Sequence, residues 1–370
     1  MNQRTSWKSI VKLLLYGLRL RLFSSWFSSI TTLAILYLLY KIIPPLLAWA
    51  IFRAVWSTEN TNLCRIMMKK GACWAFIAEK HRFILFGTFP AEEHWRPALV
   101  IIILIALYAV SASRYMRGAR LLAMWLSGFA VIGLLMWGGV LGLSYVENER
   151  WGGLTLTLLL STLGLAFAFP LAIALALARR SEMPVVRWLA ISYIEIIRGV
   201  PLISILFMAS ALLPLFLPAG VNIDKLLRAQ LAMICFAAAY LAEVVRAGLQ
   251  SIPRQQEEAA QALGLNYWQR MRFIILPQAL RITIPPLVNT FIGFFKDTSL
   301  VVIIGLFDFL TTIKVSLSEP AWTGFGVEAY LFAAAGYFLF CYPMSRYSQN
   351  LERQAAPRGG LREIRKKLIG

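Results

Sequence analysis

Apolar residues run along this chain in long blocks, separated by short clusters of arginine, glycine, proline and acid. The blocks lie near 28–51, 97–112, 120–142, 152–178, 187–216, 226–247, 283–306 and 325–345. Each approaches or exceeds the roughly 18–20 residues that carry a helix through a hydrocarbon core of about 30 Å. The pattern predicts an all-α polytopic membrane protein with about eight transmembrane helices. Long spans can tilt, so the block at 187–216 need not be two helices.

One polar stretch interrupts the blocks. EEAAQALGLNYWQRMRFIILPQAL, residues 257–280, sits between the sixth and seventh of them. Just before it, Ser251-Ile252-Pro253 offers a cap followed by a proline suited to a first helical turn. Arg254 to Leu263 then reads as helix, with Gly264 as its left-handed terminator. Asn266 opens the next helix, with Gln269 placed to close a capping box, and Pro277 ends or bends it. A helix of about ten residues is marginal alone in water, so it must pack on something. Small alanines allow close approach, and a projecting acid can meet a basic pocket. Such a stretch has the form of a docking element for a cytoplasmic partner, and equally of a loop that covers helix ends.

Composition agrees with the blocks. Of 370 residues, 59% are hydrophobic and only 15% charged, where a soluble domain carries about a quarter charged residues. The net charge is +19, from 37 Lys and Arg against 18 Asp and Glu. These cations flank apolar blocks and form no aromatic-interleaved patch, which argues against a nucleic-acid partner and for a membrane one. Arg4, Lys8, Lys12, Arg19 and Arg21 precede the first block. Arg114, Arg117 and Arg120 follow the second, Arg179, Arg180 and Arg187 the fourth, and Arg254, Arg270 and Arg272 the sixth. Arg353, Arg358, Arg362, Arg365, Lys366 and Lys367 crowd the tail. In an eight-helix arrangement these fall on one side, which the positive-inside bias makes cytoplasmic, together with both termini. The basic amphipathic segment from Lys8 to Phe23 reads as a helix along the inner leaflet. No short apolar core with a small-residue cleavage site opens the chain.

The segment 53–96 dissents. It should lie outside, yet it holds Arg53, Arg65, Lys69, Lys70, Lys80, Arg82 and Arg96, offset in part by Glu59, Glu79, Glu92 and Glu93. Within it, WAFIAEKHRFILF reads as a helix on the membrane surface. Cys64 and Cys73 either close a small disulfide loop in an oxidising compartment or remain free thiols. Cys235 and Cys341 fall inside blocks and read as packing residues, and with only two histidines, His81 and His94, no metal-ligand spacing is present.

Charges inside the blocks are costly unless they face a cavity, a partner or one another. Glu195–Arg198 and Glu243–Arg246 repeat an E-x-x-R spacing that lets each acid neutralise its own arginine, as a gate or as architecture. In the seventh block Asn289, Gly293 and Lys296 recur at helical spacing, with Asp297, Thr298 and Ser299 beside them. That polar stripe suggests a face lining a pathway. Lys296 and Asp297 could receive the two charges of a zwitterion, or pair to hold two helices together.

Taken in order, Glu258-Ala259-Ala260, Gly264, Ile274 and Leu276-Pro277 resemble the EAA signature of ABC importer permeases. AEVVRAGLQSIP before it and LPQALRITIPPLVNTFIGFFKDTSLV after it extend the likeness, and YIEIIRGVPLISILF resembles the other hallmark of the polar amino-acid permeases of the histidine/glutamine type. The first three blocks and the CRIMMKKGACWAFI loop resemble the extra N-terminal part of the M-type permease of general L-amino-acid importers. The likeness implies a five-helix type I importer core at 146–347, with its coupling loop at 248–281. Before the core it implies a cytoplasmic segment at 1–27 and a three-helix extension at 28–145, and after it a basic cytoplasmic tail at 348–370.

Function follows from the same likeness: a permease subunit of the bacterial inner membrane that carries L-amino acids in an ATP-driven importer. The first helix of the EAA loop would be the coupling helix, with Glu258, Ala259, Ala260 and Gly264 carried over by position and Arg254, Gln255 and Gln256 in the same helix. Implied partners are two copies of an ABC ATPase holding ATP and Mg, a second permease subunit in a heterodimer, a periplasmic amino-acid-binding protein, and membrane lipid. The chain carries no GxxxxGK phosphate loop, so no cofactor is assigned to it and it is not read as an enzyme. A stand-alone secondary transporter or channel for small polar solutes would show inverted repeats with paired broken helices, and no internal symmetry is visible. A membrane-embedded enzyme would need converging nucleophile, base or metal groups, and none emerges.

Overall fold

A computed structural model describes residues 22–355 apart from 58–60, 68–69, 114–115, 117 and 219. The basic segment from Lys8, up to residue 21, and the tail beyond Ala355 lie outside the described residues. The chain divides into two units, Met1–Glu79 and Lys80–Gly370.

In the first unit, α1 (Trp26–Leu47) opens on Ser25, whose side chain accepts from the Ser28 N–H. Pro44 and Pro45 lie inside it and withhold backbone donors, and the helix widens into a π turn over Ala48–Phe52. The chain then folds back through α2 (Thr61–Ile66). Val55 N–H donates to the Ala72 carbonyl at 2.8 Å and Ala72 N–H to Trp49 at 2.9 Å. The Trp74 indole donates to the Ala50 carbonyl. This approach requires glycine at 71, where a Cβ would lie 1.9 Å from the Arg53 carbonyl oxygen. A disulfide joins Cys64 to Cys73, with the Cα atoms 5.6 Å apart.

The boundary between units falls within α3 (Ala75–Phe86). The second unit continues with α4 (Trp95–Ala112), α5 (Ala119–Trp137) and α6 (Gly153–Arg179). Next come α7 (Pro184–Gly199), α8 (Leu202–Ala211) and α9 (Lys225–Gln250). The order ends with α10 (Arg254–Ala262), α11 (Tyr267–Arg270), α12 (Leu276–Asp297), α13 (Phe309–Leu317) and α14 (Gly326–Ala355). Among the described residues seven helices are long and apolar enough to cross a membrane, or eight if α7 and α8 form one span.

Those two helices meet at 103°, so the block at 187–216, which length alone allowed to be one tilted helix, is a bent pair. The cause is local. Val200 precedes a proline and is extended (φ −106°, ψ 133°), because the Pro201 ring disfavours the helical region before it. Gly199 and Pro201 thus set the break.

α6 and α9 form the centre, and α9 also packs on α7, α8 and α12. The α9 face turned inward is rich in small residues: Ala229, Ala232, Ala237, Ala238, Ala239 and Ala242 are buried, beside Met233, Leu241, Val245 and Leu249. Small residues let backbones approach where lipid supplies no hydrophobic drive between helices. At Gly248 the approach is closest, since a Cβ there would lie 2.2 Å from Thr283 Cγ2 on α12.

The second half of α3 is not a free surface helix. Ile84 is fully buried, the Ile84 carbonyl accepts from Thr312 and the Leu85 carbonyl from Thr155. Gly87 meets Gly152 so closely that a Cβ at 87 would lie 2.4 Å from the Gly152 Cα. Two cations of the dissenting segment are bound here as well. Lys80 pairs with Glu319 at 2.6 Å. Arg96 is fully buried, donating to the Leu135 carbonyl at the end of α5, to Glu93 and to Ser144. They act as internal fastenings rather than as loose loop charges.

Candidate functional site

The polar stretch between α9 and α12 folds as a helix, a glycine corner and a second helix, but both ends differ from the expected caps. Ser251 terminates α9, its hydroxyl donating to the Gly248 carbonyl, and Pro253 is the N-cap of α10 without a side-chain cap bond. The corner is a Schellman motif: Gly264 is left-handed (φ 78°), its N–H donates to Gln261, and the Leu265 N–H donates to Ala260. Asn266 and Gln269 complete the capping box. Pro277 does not end the second helix. The register widens to a π turn at Met271–Ile275, and the helix runs from Tyr267 through α12 to Ile304 as a single span candidate of 38 residues. The second polar helix is therefore the first turn of a spanning helix.

α10 has two faces. Gln256, Glu257 and Ala260 turn toward the bundle, while Arg254, Gln255, Glu258, Ala259 and Ala262 are exposed. Ala260, grouped by motif with the docking residues, is 2% exposed and packs within its own chain. Gly264 is exposed at the corner. On the inward face, Gln278 Nε2 donates to Gln256 Oε1 at 2.6 Å, and Arg180 Nη2 lies 3.8 Å from Glu257 Oε2. Arg180 Nη1 also donates to the Leu249 carbonyl near the end of α9. Beside the corner, Leu263 and Trp268 are 78% and 70% exposed, an uncommon presentation for large apolar side chains.

At the same end of the bundle the four E-x-x-R charges gather, and one of the two expected pairs forms. Glu243 and Arg246 hold each other through two hydrogen bonds. Glu195 pairs instead with Arg179 across helices at 2.9 Å, and Arg179 is also 3.5 Å from Glu243. Arg198 lies over the Tyr240 ring, 5.6 Å from its centroid, and its buried Nε has no hydrogen-bond partner. The three-residue step would allow Glu195 to reach Arg198, but the last residue of α6 brings a guanidinium closer. Next to this cluster, α9 and α12 flank an open cleft of about 360 Å³ lined by Glu243, Ala247, Gly248, Thr283 and Pro286 among others.

Along α12 the expected stripe lies on an uncovered face. Asn289 and Lys296 are exposed, and a Cβ at Gly293 would meet nothing within 4 Å. Phe294 and Phe295 turn inward. Asp297 and Ser299 are half-buried. Lys296 and Asp297 form no ion pair among the described residues, and sequence neighbours on a helix do not face each other. Among the described residues no group of three or more His, Cys, Asp or Glu could hold a metal ion.

Asp308 is a buried acid between the last two apolar blocks. It caps α13, accepting from the Leu310 and Thr311 N–H groups and from the Thr311 hydroxyl. Burial pushes its carboxyl above the ordinary aspartate value, against the pull of those hydrogen bonds. A raised folded value means that stability is greatest below the unfolded pKa, about 3.9 for aspartate, and falls as pH rises through the folded value. Thermal unfolding in detergent is therefore expected to show a falling midpoint across that window, and Asp308→Asn to flatten the slope while leaving α13 capped. An equal slope in both proteins would assign it elsewhere.

Sequence spacing did not single out Arg179, Arg180, Glu257 or Gln278 as contacts, and Gln256, placed by resemblance in the coupling helix, turns inward to Gln278. The signal was present in part, because a 3.6-residue period places Gln256, Glu257 and Ala260 on one face of α10.

A family profile described as "Binding-protein-dependent transport system inner membrane component" matches residues 168–356. The chain is 47% identical to the inner membrane amino-acid ABC transporter permease protein YhdY of Escherichia coli strain K12, over 91% of each chain. It is 37% identical to the glutamate/glutamine/aspartate/asparagine transport system permease protein BztC of Rhodobacter capsulatus, over 82% of this chain and 85% of that one. A solved amino acid ABC transporter crystallised with histidines is 33% identical over 55% of this chain and 92% of that chain, with a TM-score of 0.49.

Proposed function

The chain belongs to the binding-protein-dependent transport system inner membrane component family, and from that premise we propose that it is the permease subunit of an ATP-driven importer of L-amino acids. The observation that carries this reading is 47% identity over 91% of both chains to an amino-acid permease. The membrane-spanning helices supply the pathway, and energy comes from a separate ATPase that holds ATP and Mg, present as two copies. A periplasmic amino-acid-binding protein delivers the solute, and a second, related permease subunit completes a heterodimer.

α10 is the coupling helix. Its exposed face, with Arg254, Gln255, Glu258 and Ala259, enters the ATPase cleft, and Gly264 fixes the angle at which it is presented. Ala260 supports that face from behind. Both termini and α10 lie on the cytoplasmic side, and the disulfide-closed turn at Cys64–Cys73 lies outside, where thiols oxidise.

The exposed Asn289 and Lys296, with the half-buried Asp297 and Ser299 beside them, face the pathway or the second subunit. Glu195, Arg198, Glu243 and Arg246 form its cytoplasmic gate beside the α9–α12 cleft. The test is uptake of labelled amino acids into liposomes holding this chain with its ATPase, second permease and binding protein. Uptake should require ATP and stop when the ATPase is inactivated. Uptake by this chain alone would make it a secondary transporter or channel instead.

A further inference from the structure

The inward face of α10 is tied to the bundle by two polar contacts, and one of them ends at a pair of adjacent arginines. Arg180 lies 3.8 Å from Glu257 on α10 and also donates to the Leu249 carbonyl near the end of α9. It therefore clasps both sides of the corner made by Ser251, Ile252 and Pro253. Its neighbour Arg179 reaches the other way, to Glu195 on α7 at 2.9 Å and Glu243 on α9 at 3.5 Å. Both are about one-fifth to one-third exposed, so their charges are partly shielded from water and screened less than free surface pairs. The second tie runs from Gln256 to Gln278 in the first turn of α12, where the same Nε2 also donates to the Ile274 carbonyl.

We propose that Arg179–Arg180, at the end of α6, is the junction that passes displacement of α10 to α7 and α9, with Gln278 as the parallel connection to α12. This rests on α10 being the ATPase-coupling helix. Arg180 and Gln278 are positioning residues: they touch neither nucleotide nor solute and act through α10. Among the described residues these two contacts join the polar inward face of α10 to α6 and α12, and Arg180 carries the first on to α9 through the Leu249 carbonyl.

The experiment uses the assembled importer in proteoliposomes and measures ATP hydrolysed per solute imported. Arg180→Gln should lower transport roughly two- to five-fold, the weight of one partly exposed ion pair, while hydrolysis persists, so that the ratio rises. The reversed pair Arg180→Glu with Glu257→Arg should bring the ratio back toward the unmodified value. Arg180→Gln combined with Gln278→Leu should raise it further than either alone. A purely structural role would lower assembled complex, hydrolysis and transport together at a constant ratio, and that result overturns the proposal. So does an unchanged ratio in the double variant.

A cysteine at Ala259 cross-linked to the ATPase, in the otherwise unmodified chain, separates the two levels. Absence of that cross-link sinks the coupling-helix reading itself. Its presence with an unchanged ratio sinks only the junction.

Discussion

Placing tryptophan at Ala259 is expected to stop ATP-driven uptake while the permease still folds and inserts. Ala259 is exposed on the outer face of α10, and substitutions at such sites usually cost within about 0.5 kcal/mol of stability. A bulky ring on a face proposed to enter the ATPase cleft would block close approach, so transport should fall by about a hundred-fold or more, the scale of losing roughly 3 kcal/mol of coupling between sites. The neighbouring Ala260→Trp is the contrast. Ala260 is 2% exposed, and overpacking there should cost about 1–3 kcal/mol of folding stability. Uptake in proteoliposomes, set beside thermal melts of both purified variants, decides the matter. If Ala259→Trp transports normally, the outer face of α10 is not the docking face.

The largest stability effect is expected at Arg96. Its side chain is fully buried and holds the Leu135 carbonyl, Glu93 Oε2 at 3.0 Å and the Ser144 carbonyl at 2.9 Å. It thereby joins the start of α4, the end of α5 and the loop that follows. Arg96→Ala empties a fully buried site and leaves the Leu135 and Ser144 carbonyls without this donor, and a large-to-small change in a core costs about 2–5 kcal/mol. Arg96→Lys keeps the charge but not the planar fork, and should recover only part of the loss. Thermal unfolding in detergent is the measurement, and midpoints equal to the unmodified protein in both variants would remove Arg96 from this role.

That residue also marks where sequence reading ended. Arg96 and Lys80 counted against the orientation rule because sequence shows charge but not partners. Both are internal, one buried and one paired with Glu319, far along the chain. Apolar block length was enough to place the seven unbent span candidates. Glycine and proline chemistry was enough to place the α10 corner at Gly264 and the capping box at Asn266. The break at Gly199–Pro201 was written in the residues as well, yet block length argued for one tilted helix, and local backbone chemistry prevailed.

What spacing could not supply was adjacency. Glu195 had an arginine three positions away and took one from another helix, because the choice depends on which helix ends meet. The same holds for Glu257 with Arg180 and for Gln256 with Gln278. The inward turn of Ala260 lay within reach of a helical period, but the motif groups it with its neighbours and so hid the distinction.

The run from Tyr267 to Ile304 is 38 residues without a chain break, ending in a 3-10 stretch at Thr298–Ile304, and spans roughly 57 Å at a rise of about 1.5 Å per residue. Its foot stands directly on the Schellman corner. A tilt of only about one degree at the foot would shift the far tip by about 1 Å over that length, so small strokes need no amplification elsewhere. The π turn at Met271–Ile275 sits at the base of that lever, where the proposed stroke would enter it.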